Sequence, residues 1–382
     1  MDENPASWLP SNLTAEDSKH WENLTEVVDP TYVFTPAGTT AKCALCVVLS
    51  ATGAVGFLGN SLIFFFLSKK KSRNPIQSNR FMKNLSIYVR SLSLSDLLCC
   101  AVSLPLLCIQ ILLDVFQSGW PCKIVRYFNF VFPVITINNL IAISMEKYLS
   151  TRSFPRTFSF STVRKMIICA WVLGLVVTVL SAAPFSGVRL DLNNTHYTVI
   201  CRADKEFYSF RMGVFLVPIQ YVLPSIFIMY FNICLLKTVW TRGRRQIGNA
   251  INSVFKAHHR AQRIKGTSLL VALTFAFIIP YSFYIGNRVY TEIAKPQRNF
   301  STDYMIRYSS AGIAICTSVL NFIIYFAQMK DFRVFVKKVL CKGSNEINPP
   351  EMAGRETLRA YRLPVDSLDV SRMEGNAIEL RL

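Results

Sequence analysis

The chain has 382 residues, of which 51% are hydrophobic and only 17% are charged, and its formal net charge is +19. Soluble globular proteins carry about 25% charged residues, so this composition is too apolar for a surface that faces water. A basic excess in such an apolar chain indicates a membrane protein whose positive residues lie beside lipid. The same figures argue against a soluble enzyme, a disordered basic protein and a nucleic-acid-binding protein.

Seven apolar stretches follow one another along the chain, and each is close to the roughly 20 residues that cross a bilayer. They are Cys43–Ser68, Leu85–Leu113, Tyr127–Met145, Met166–Val188, Met212–Leu236, Gly266–Asn287 and Tyr308–Met329. These runs are continuous rather than alternating, which predicts helices and not barrel strands. We therefore expect an all-α protein, a seven-transmembrane helix bundle with a short amphipathic helix after the seventh span.

The charges outside the apolar stretches predict the orientation. Lys and Arg without acidic residues fill the connections between the first and second and between the fifth and sixth stretches, and more follow the seventh. By the positive-inside rule these segments are cytoplasmic. We expect an extracellular N-terminus over residues 1–42, a membrane domain over 43–342 and a disordered cytoplasmic tail over 343–382. The expected glycosylation sites on the outer side are Asn12, Asn23, Asn193 and Asn299.

Short motifs lie at matching places in these stretches. Gly59-Asn60 is in the first, Leu94-Ser95-Asp96-Leu97-Leu98 in the second, Glu146-Lys147-Tyr148 at the end of the third, and Asn321-Phe322-Ile323-Ile324-Tyr325 in the seventh. In type and order they resemble the landmarks of the rhodopsin-like (class A) G-protein-coupled receptors, of the peptide type. The resemblance implies a plasma-membrane receptor that activates a heterotrimeric G protein when an extracellular ligand binds. Arrestin and membrane lipids are further partners that it implies.

The resemblance also implies particular sites. Cys122 and Cys201 correspond to the cysteines that form a disulfide on the outer side, where a bridge persists. A sodium ion is implied at an oxygen cluster made of Asp96, Thr136, Ser318 and Asn321. The alternative for this cluster is a protonated Asp96 bonded to Asn321. Cys341, at the end of the amphipathic segment, is a candidate for palmitoylation.

The chain departs from the family pattern in the segments that switch the receptor. Lys147 stands where the family has Arg, and it lacks the planar guanidinium of that residue. Arg260 replaces the acid that often restrains that Arg, so we expect Lys147 and Arg260 to repel each other and basal activity to rise. Ordinary divergence and altered coupling both remain open. The predicted coupling residues are Glu146, Lys147, Tyr148, Asn232, Arg260, Ile278, Pro280, Asn321 and Tyr325.

Residues near the outer ends of the spans bear on the ligand. Asn129 occupies the place of the Asp that binds amines, and Ile315 that of the Lys that binds retinal, so neither ligand is expected. The candidate binding residues are Arg126, Asn129, Arg202, Arg211, Arg288 and Arg307. Arginines around one opening suit a carboxylate or phosphate, unless they pair with nearby acidic residues. A peptide with an acidic or carboxylate group is the first ligand class, and a small organic or fatty acid is the second.

Other function classes stay open at this stage. Altered switch motifs favour a non-signalling receptor-like scaffold. An ion channel or transporter would use Asp96 in its pathway, but the two halves of the chain show no internal repeat of the transporter kind. No metalloprotease, P-loop or dinucleotide-binding motif supports an enzyme. Apart from the implied sodium ion, no cofactor is expected.

Overall fold

The computed structural model describes residues 30–34, 37–69, 80–116, 119–151, 158–203, 210–245, 253–294, 296 and 298–341. The chain divides into a larger unit, Met1–Gln328, and a smaller one, Met329–Leu382. The described part of the smaller unit is the helix Lys330–Cys341. Phe332, Phe335 and Val336 lie three or four residues apart along it, so they share one face as predicted for an amphipathic helix. The side chain of Cys341 lies outside the described residues.

The described part of the larger unit contains seven helices long and apolar enough to cross a membrane. In chain order these first to seventh spans are Thr39–Lys69, Arg80–Leu112, Gly119–Thr151, Phe160–Ala182, Ile219–Thr241, Ala261–Thr291 and Phe300–Gln328. The fifth and sixth spans are parts of the longer helices Phe210–Arg245 and Ser253–Ala294. The predicted helical bundle is confirmed.

Polarity in the bundle is arranged as a bilayer requires. Ile168, Val172 and Val176 of the fourth span leave 61%, 51% and 59% of their surface exposed, which suits contact with lipid tails. Asn60 of the first span and Asn139 of the third are both completely buried. The polar side chains therefore hydrogen-bond to other parts of the protein inside the bundle, while apolar residues form its outer surface.

A small β-sheet covers one end of the bundle, which we call the hairpin end. Strands β2 (Phe185–Asn193) and β3 (His196–Ala203) pair antiparallel, and β1 (Thr31–Tyr32) pairs parallel with β3. The sequence predicted helix as far as Val188, but the fourth span ends at Ala182. The N–H of Ala183 still donates to the carbonyl of Val179, and Pro184 explains the end because it has no N–H with which to continue the helix.

Two of the spans contain irregular turns. In the second span, Cys99–Ser103 forms a π-helix between Arg80–Leu98 and Leu104–Leu112, and the N–H of Leu104 donates to the carbonyl of Cys99. The seventh span consists of Phe300–Ile315 and Thr317–Gln328, with an interruption at Cys316. The sequence analysis predicted both spans but did not predict either irregular turn. Hydropathy indicates the length of a helix and not its hydrogen-bond pattern.

The third and fourth spans pack closely against each other at Gly174. A Cβ atom built on Gly174 would lie 2.4 Å from Ile135 Cγ1 and 3.2 Å from the backbone nitrogen of Ile135. Small residues allow such close helix packing in membranes, and the backbone atom cannot move aside as a flexible side chain can. The glycine is therefore required by the contact itself.

We expect Gly174→Ala to destabilise the protein by about 1–3 kcal/mol, because the added methyl group overpacks this contact. The melting temperature of the purified protein measures the effect. The matched control is Gly286→Ala, because no atom comes within 4 Å of a Cβ built at Gly286. Equal melting temperatures for the two variants would show that the contact at Gly174 is not tight.

Candidate functional site

A cavity opens among the third, fifth, sixth and seventh spans on the side of the hairpin end. Its empty space, including the open solvent at its mouth, is about 870 Å³. Its polar lining includes Arg126, Asn129, Gln220, Arg288 and Arg307, and its aromatic lining includes Phe130, Tyr221, Phe277, Tyr281, Tyr284 and Tyr308. Four of the six candidate ligand-binding residues therefore line one cavity.

A second and wider cavity lies between the sheet and the start of the seventh span. Val33 next to β1, Arg202 of β3 and Asp303 of the seventh span line it, as do Arg307 and Tyr308. The last two residues also line the first cavity. The two cavities are therefore neighbours, and together they extend from the sheet into the bundle.

Arg126 is the buried cation of the first cavity, with 8% of its surface exposed. Its Nε donates to Sγ of Cys201 at 3.3 Å, and its Nη2 donates to the carbonyl oxygen of Cys201 at 3.2 Å. Its guanidinium also lies 5.2 Å from the ring centroid of Phe185. Among the described residues no carboxylate contacts Arg126. Within the described part of the chain, Arg126 therefore lacks the acidic partner that Arg307 has.

The other predicted arginines differ in their surroundings. Arg307 pairs with Asp303 one turn earlier, at 3.0 Å from Nη2 to Oδ2, so the acid-pairing alternative does apply there. Arg202 lines only the second cavity, and Arg288 lines the first. The side chain of Arg211 lies outside the described residues. The arginines therefore do not form one uniform cationic rim.

Three aromatic rings pack together along the first cavity. The rings of Phe277 and Tyr281 stack with centroids 4.5 Å apart, and Tyr221 lies 6.1 and 5.9 Å from them. The hydroxyl of Tyr221 donates to the carbonyl of Ile278 at 2.5 Å, just before Pro280. The sequence analysis did not identify this group, because it named only Ile278 and Pro280 in this part of the sixth span. The available signal was the spacing of Phe277 and Tyr281, since residues four apart share a helix face.

The predicted bridge between Cys122 and Cys201 is present and buried. It joins the first turns of the third span to β3, the strand to which Arg126 also bonds. Cys201 of β3 is thus attached to the third span by a covalent bond and by two hydrogen bonds, one to its sulfur and one to its carbonyl. This attachment positions the sheet beside the cavity.

The predicted oxygen cluster lies between the second and seventh spans. Nδ2 of Asn321 donates to Asp96 Oδ2 at 2.7 Å, and Oγ of Ser318 donates to Oδ1 at 3.4 Å. The hydroxyl of Thr136, by contrast, lies 2.9 Å from that of Ser95. Oδ1 of Asn321 is buried and has no partner among the described groups. Three of the four predicted residues are thus in direct contact.

The predicted coupling residues at the opposite end of the bundle are arranged in several pairs. Lys147 Nζ lies 2.6 Å from Oε2 of Glu146, and Asn232 Nδ2 donates to Thr274 Oγ1 at 2.8 Å. Tyr148 packs against Phe231 with ring centroids 5.7 Å apart. Tyr325 is completely buried. The side chain of Arg260 lies outside the described residues, so its predicted repulsion from Lys147 stays a prediction.

The predicted glycosylation sites differ in how far the structure describes them. Asn193 and Asn299 are exposed near the hairpin end, and their Oδ1 atoms accept hydrogen bonds from the N–H groups of Thr195 and Thr302. These bonds leave Nδ2, the atom to which a glycan attaches, without a role in the turn. Asn12 and Asn23 lie outside the described residues.

We expect Cys122→Ser or Cys201→Ser to lower both surface expression and melting temperature. Loss of a native disulfide typically costs about 2–5 kcal/mol, and here it would also loosen the strand that holds Arg126. Cys169→Ser is the matched control, because Cys169 is an exposed free cysteine of the fourth span. Cell-surface labelling and thermal unfolding measure the effects, and wild-type values for both bridge variants would contradict the prediction.

Comparison with known proteins agrees with this arrangement. A human protein named probable G-protein coupled receptor 19 is 23% identical over 347 residues, which cover 89% of this chain and 77% of that protein. The galanin receptor 2b of Danio rerio is 26% identical and covers 94% of this chain and 89% of its own length. The allatostatin-A receptor of Bombyx mori is 23% identical and covers 75% and 77%, respectively.

The fold and the family model lead to the same conclusion. The crystal structure of squid rhodopsin superimposes with a TM-score of 0.63 at 16% identity, covering 82% of this chain and 91% of the rhodopsin chain. The model of the family described as 7 transmembrane receptor (rhodopsin family) matches residues 59–325. That match covers the second to sixth spans in full, the seventh as far as Tyr325, and the end of the first from Gly59 onward. The chain belongs to the rhodopsin family of seven-transmembrane receptors.

Proposed function

We propose that this chain is a plasma-membrane receptor for an extracellular peptide that presents a carboxylate, and that it signals through a heterotrimeric G protein. The hairpin end faces outward in this proposal, and the C-terminus is cytoplasmic. One observation carries the ligand class, namely the buried guanidinium of Arg126, which no described carboxylate contacts. A buried charge without a counter-charge is costly, so an anionic ligand group would gain most by binding there.

The shape of the site favours a peptide over a smaller acid. The second cavity continues from the first toward the sheet, and its lining carries both charges, including Asp191, Arg202 and Arg298. A small acid would fill only the first cavity, whereas an extended chain would also contact the sheet. Relatives that are named as receptors for galanin and allatostatin-A support the same ligand class.

The signalling part of the proposal starts in the same cavity. A ligand on Arg126 would touch the stacked rings of Tyr281 and Phe277, which belong to the sixth span. Tyr221 of the fifth span bonds to the backbone of the sixth beside Pro280, where the proline removes a backbone donor. Pressure on these rings would therefore bend the sixth span at its weakest point. We propose that this bend opens the opposite end to the G protein.

The alternative function, a receptor-like scaffold that does not signal, depends on Lys147. The ammonium is completely buried and held by Glu146, so it must leave this pair before it can contact a G protein. A scaffold that never released Lys147 would bind ligand without signalling. Arrestin recruitment by the tail, palmitoylation of Cys341 and contact of the amphipathic helix with lipids complete the proposal.

A sodium ion at the oxygen cluster is a further part of the proposal. Sodium is a hard cation that prefers oxygen ligands, and the unpartnered Oδ1 of Asn321 is such a ligand beside the carboxylate of Asp96. Asp96, Ser318 and Asn321 would hold the ion. Thr136 would first have to exchange its bond to Ser95. The bound charge would offset that of Asp96.

We expect Arg126→Gln to reduce the potency of a carboxylate ligand about 30-fold or more, because a charged hydrogen-bonding partner is lost. The probes are synthetic peptides in free-acid and C-terminally amidated forms, read by calcium and cyclic-nucleotide reporters. Lys123→Gln is the matched control: it removes the same charge from the same span, at a residue that lines neither cavity.

The same screen separates the alternatives. Activation by organic or fatty acids but by no peptide would favour the second ligand class. Equal potency of the acid and amide forms, together with an unchanged response of Arg126→Gln, would refute the carboxylate site. Saturable binding without any reporter response would favour the scaffold.

We expect NaCl to raise the melting temperature of the purified receptor more than choline chloride does at the same ionic strength. A ligand that binds only the folded state stabilises it by mass action. Asp96→Asn should abolish the difference between the two salts, and Asp303→Asn, outside the cluster, should keep it. Equal melting temperatures in both salts for the unmutated receptor would contradict sodium binding. The alternative, a protonated Asp96 bonded to Asn321, would then account for the cluster.

A further inference from the structure

The ammonium of Lys147 is directed at the second span and is completely buried. Besides Glu146, its Nζ contacts Phe81 twice, donating to the backbone carbonyl at 2.8 Å and lying 4.2 Å from the centroid of the ring. The negative face of an aromatic ring attracts a lysine ammonium, and the attraction is stronger where water is excluded. Lys147 therefore fixes both the backbone and the ring of Phe81.

The carboxylate of Glu146 is held in turn. Asn84 Nδ2 donates to Oε1 of Glu146 at 3.0 Å and to the carbonyl of Phe158 at 3.3 Å. Phe158 directly precedes the fourth span. The buried charge pair thus lies in a network that joins the second span, the third span and the start of the fourth. Such a network has a fixed geometry because each polar group contributes to holding the next.

The ring of Phe81 also touches the sixth span, at Gly266. A Cβ built on Gly266 would lie 2.7 Å from Cε1 of Phe81, and 3.2 and 3.3 Å from side-chain atoms of Leu85 and Met82. Only a glycine lets the ring lie against the helix backbone at this point. The ring therefore lies between the charged network on one side and the sixth span on the other.

We propose that Phe81 is a positioning residue through which Lys147 holds the opposite end of the sixth span against the bundle. In this arrangement the closed position depends on the packing of a ring against a glycine, and no acidic residue of the sixth span is needed. Outward movement of the sixth span would uncover the ring of Phe81 and free Lys147 to turn away from it. Only the signalling consequence of this inference rests on the proposed function.

The test uses a pair of substitutions that compensate each other. Gly266→Ala adds a methyl group that meets the ring, so the closed position should be less populated. Phe81→Leu keeps the backbone carbonyl that binds Lys147 but has no atom at the Cε1 position. The double variant should therefore accommodate the methyl group. Gly286→Ala makes the same substitution in the same helix where no atom lies within 4 Å.

Amide hydrogen exchange of the purified receptor over residues 262–270 reports the position of the helix without any ligand or G protein. We expect exchange to be about fivefold or more faster in Gly266→Ala, as overpacking predicts, and to return toward the wild-type rate in the double variant. Equal rates in Gly266→Ala and Gly286→Ala, or additive effects of the two substitutions, would overturn the proposal.

A second variant tests the part played by Lys147. Glu146→Gln combined with Lys147→Met removes both charges, so no unpaired carboxylate is left behind. Exchange should become faster at residues 81–85 and also at 262–270, since Phe81 loses its support. A change confined to residues 81–85 would overturn the role of Phe81 as the link. Basal nucleotide exchange on a panel of G proteins should rise in Gly266→Ala, which keeps Lys147, if the receptor signals as proposed. A rise in amide exchange alone in that variant would count against the signalling function only.

Discussion

A charge inside a bilayer must find its partner within the protein, because lipid tails offer neither counter-charge nor hydrogen bond. Three buried groups of this receptor meet that constraint differently. Asp96 accepts hydrogen bonds from Asn321 and Ser318, and Lys147 has an adjacent carboxylate. Among the described residues, Arg126 has sulfur and carbonyl acceptors from Cys201 and the ring of Phe185 beside it. The first two groups belong to networks that join helices to one another, whereas the third is the group to which we assign the anionic ligand in our proposal.

The two ends of the bundle differ in how their polar groups are held. At the opposite end, where charges are satisfied internally, the second, third and fourth spans are tied together through Asn84 and Glu146. At the hairpin end the structure is open, and the ties are a disulfide and short stretches of β-pairing. Cavities are thus found at the hairpin end, and buried polar networks tie the spans together at the opposite end.

Hydropathy and charge were sufficient to predict the seven helices, because both follow directly from the solvent that surrounds them. The strands β2 and β3 were not predicted, because the apolar start of β2 at Phe185 continues the hydropathy of the fourth span. At the site, the disulfide was identified from the family resemblance, and Arg126 was identified as one of the arginines near the outer ends of the spans. Phe277 and the pairing of Ser95 with Thr136 were missed, since both depend on how a helix is rotated about its axis.

The π-helical turn at Cys99–Ser103 sets such a rotation for the second span. An extra residue in one turn shifts everything beyond it by about 100° around the helix axis. Leu107 lines the first cavity and Gln110 donates to the hydroxyl of Tyr308, and both lie beyond that turn. Removing one residue from the turn would leave the span long enough to cross the membrane but would turn both side chains to another face. An irregular turn that lines neither cavity therefore helps to determine which residues of the second span line the first cavity.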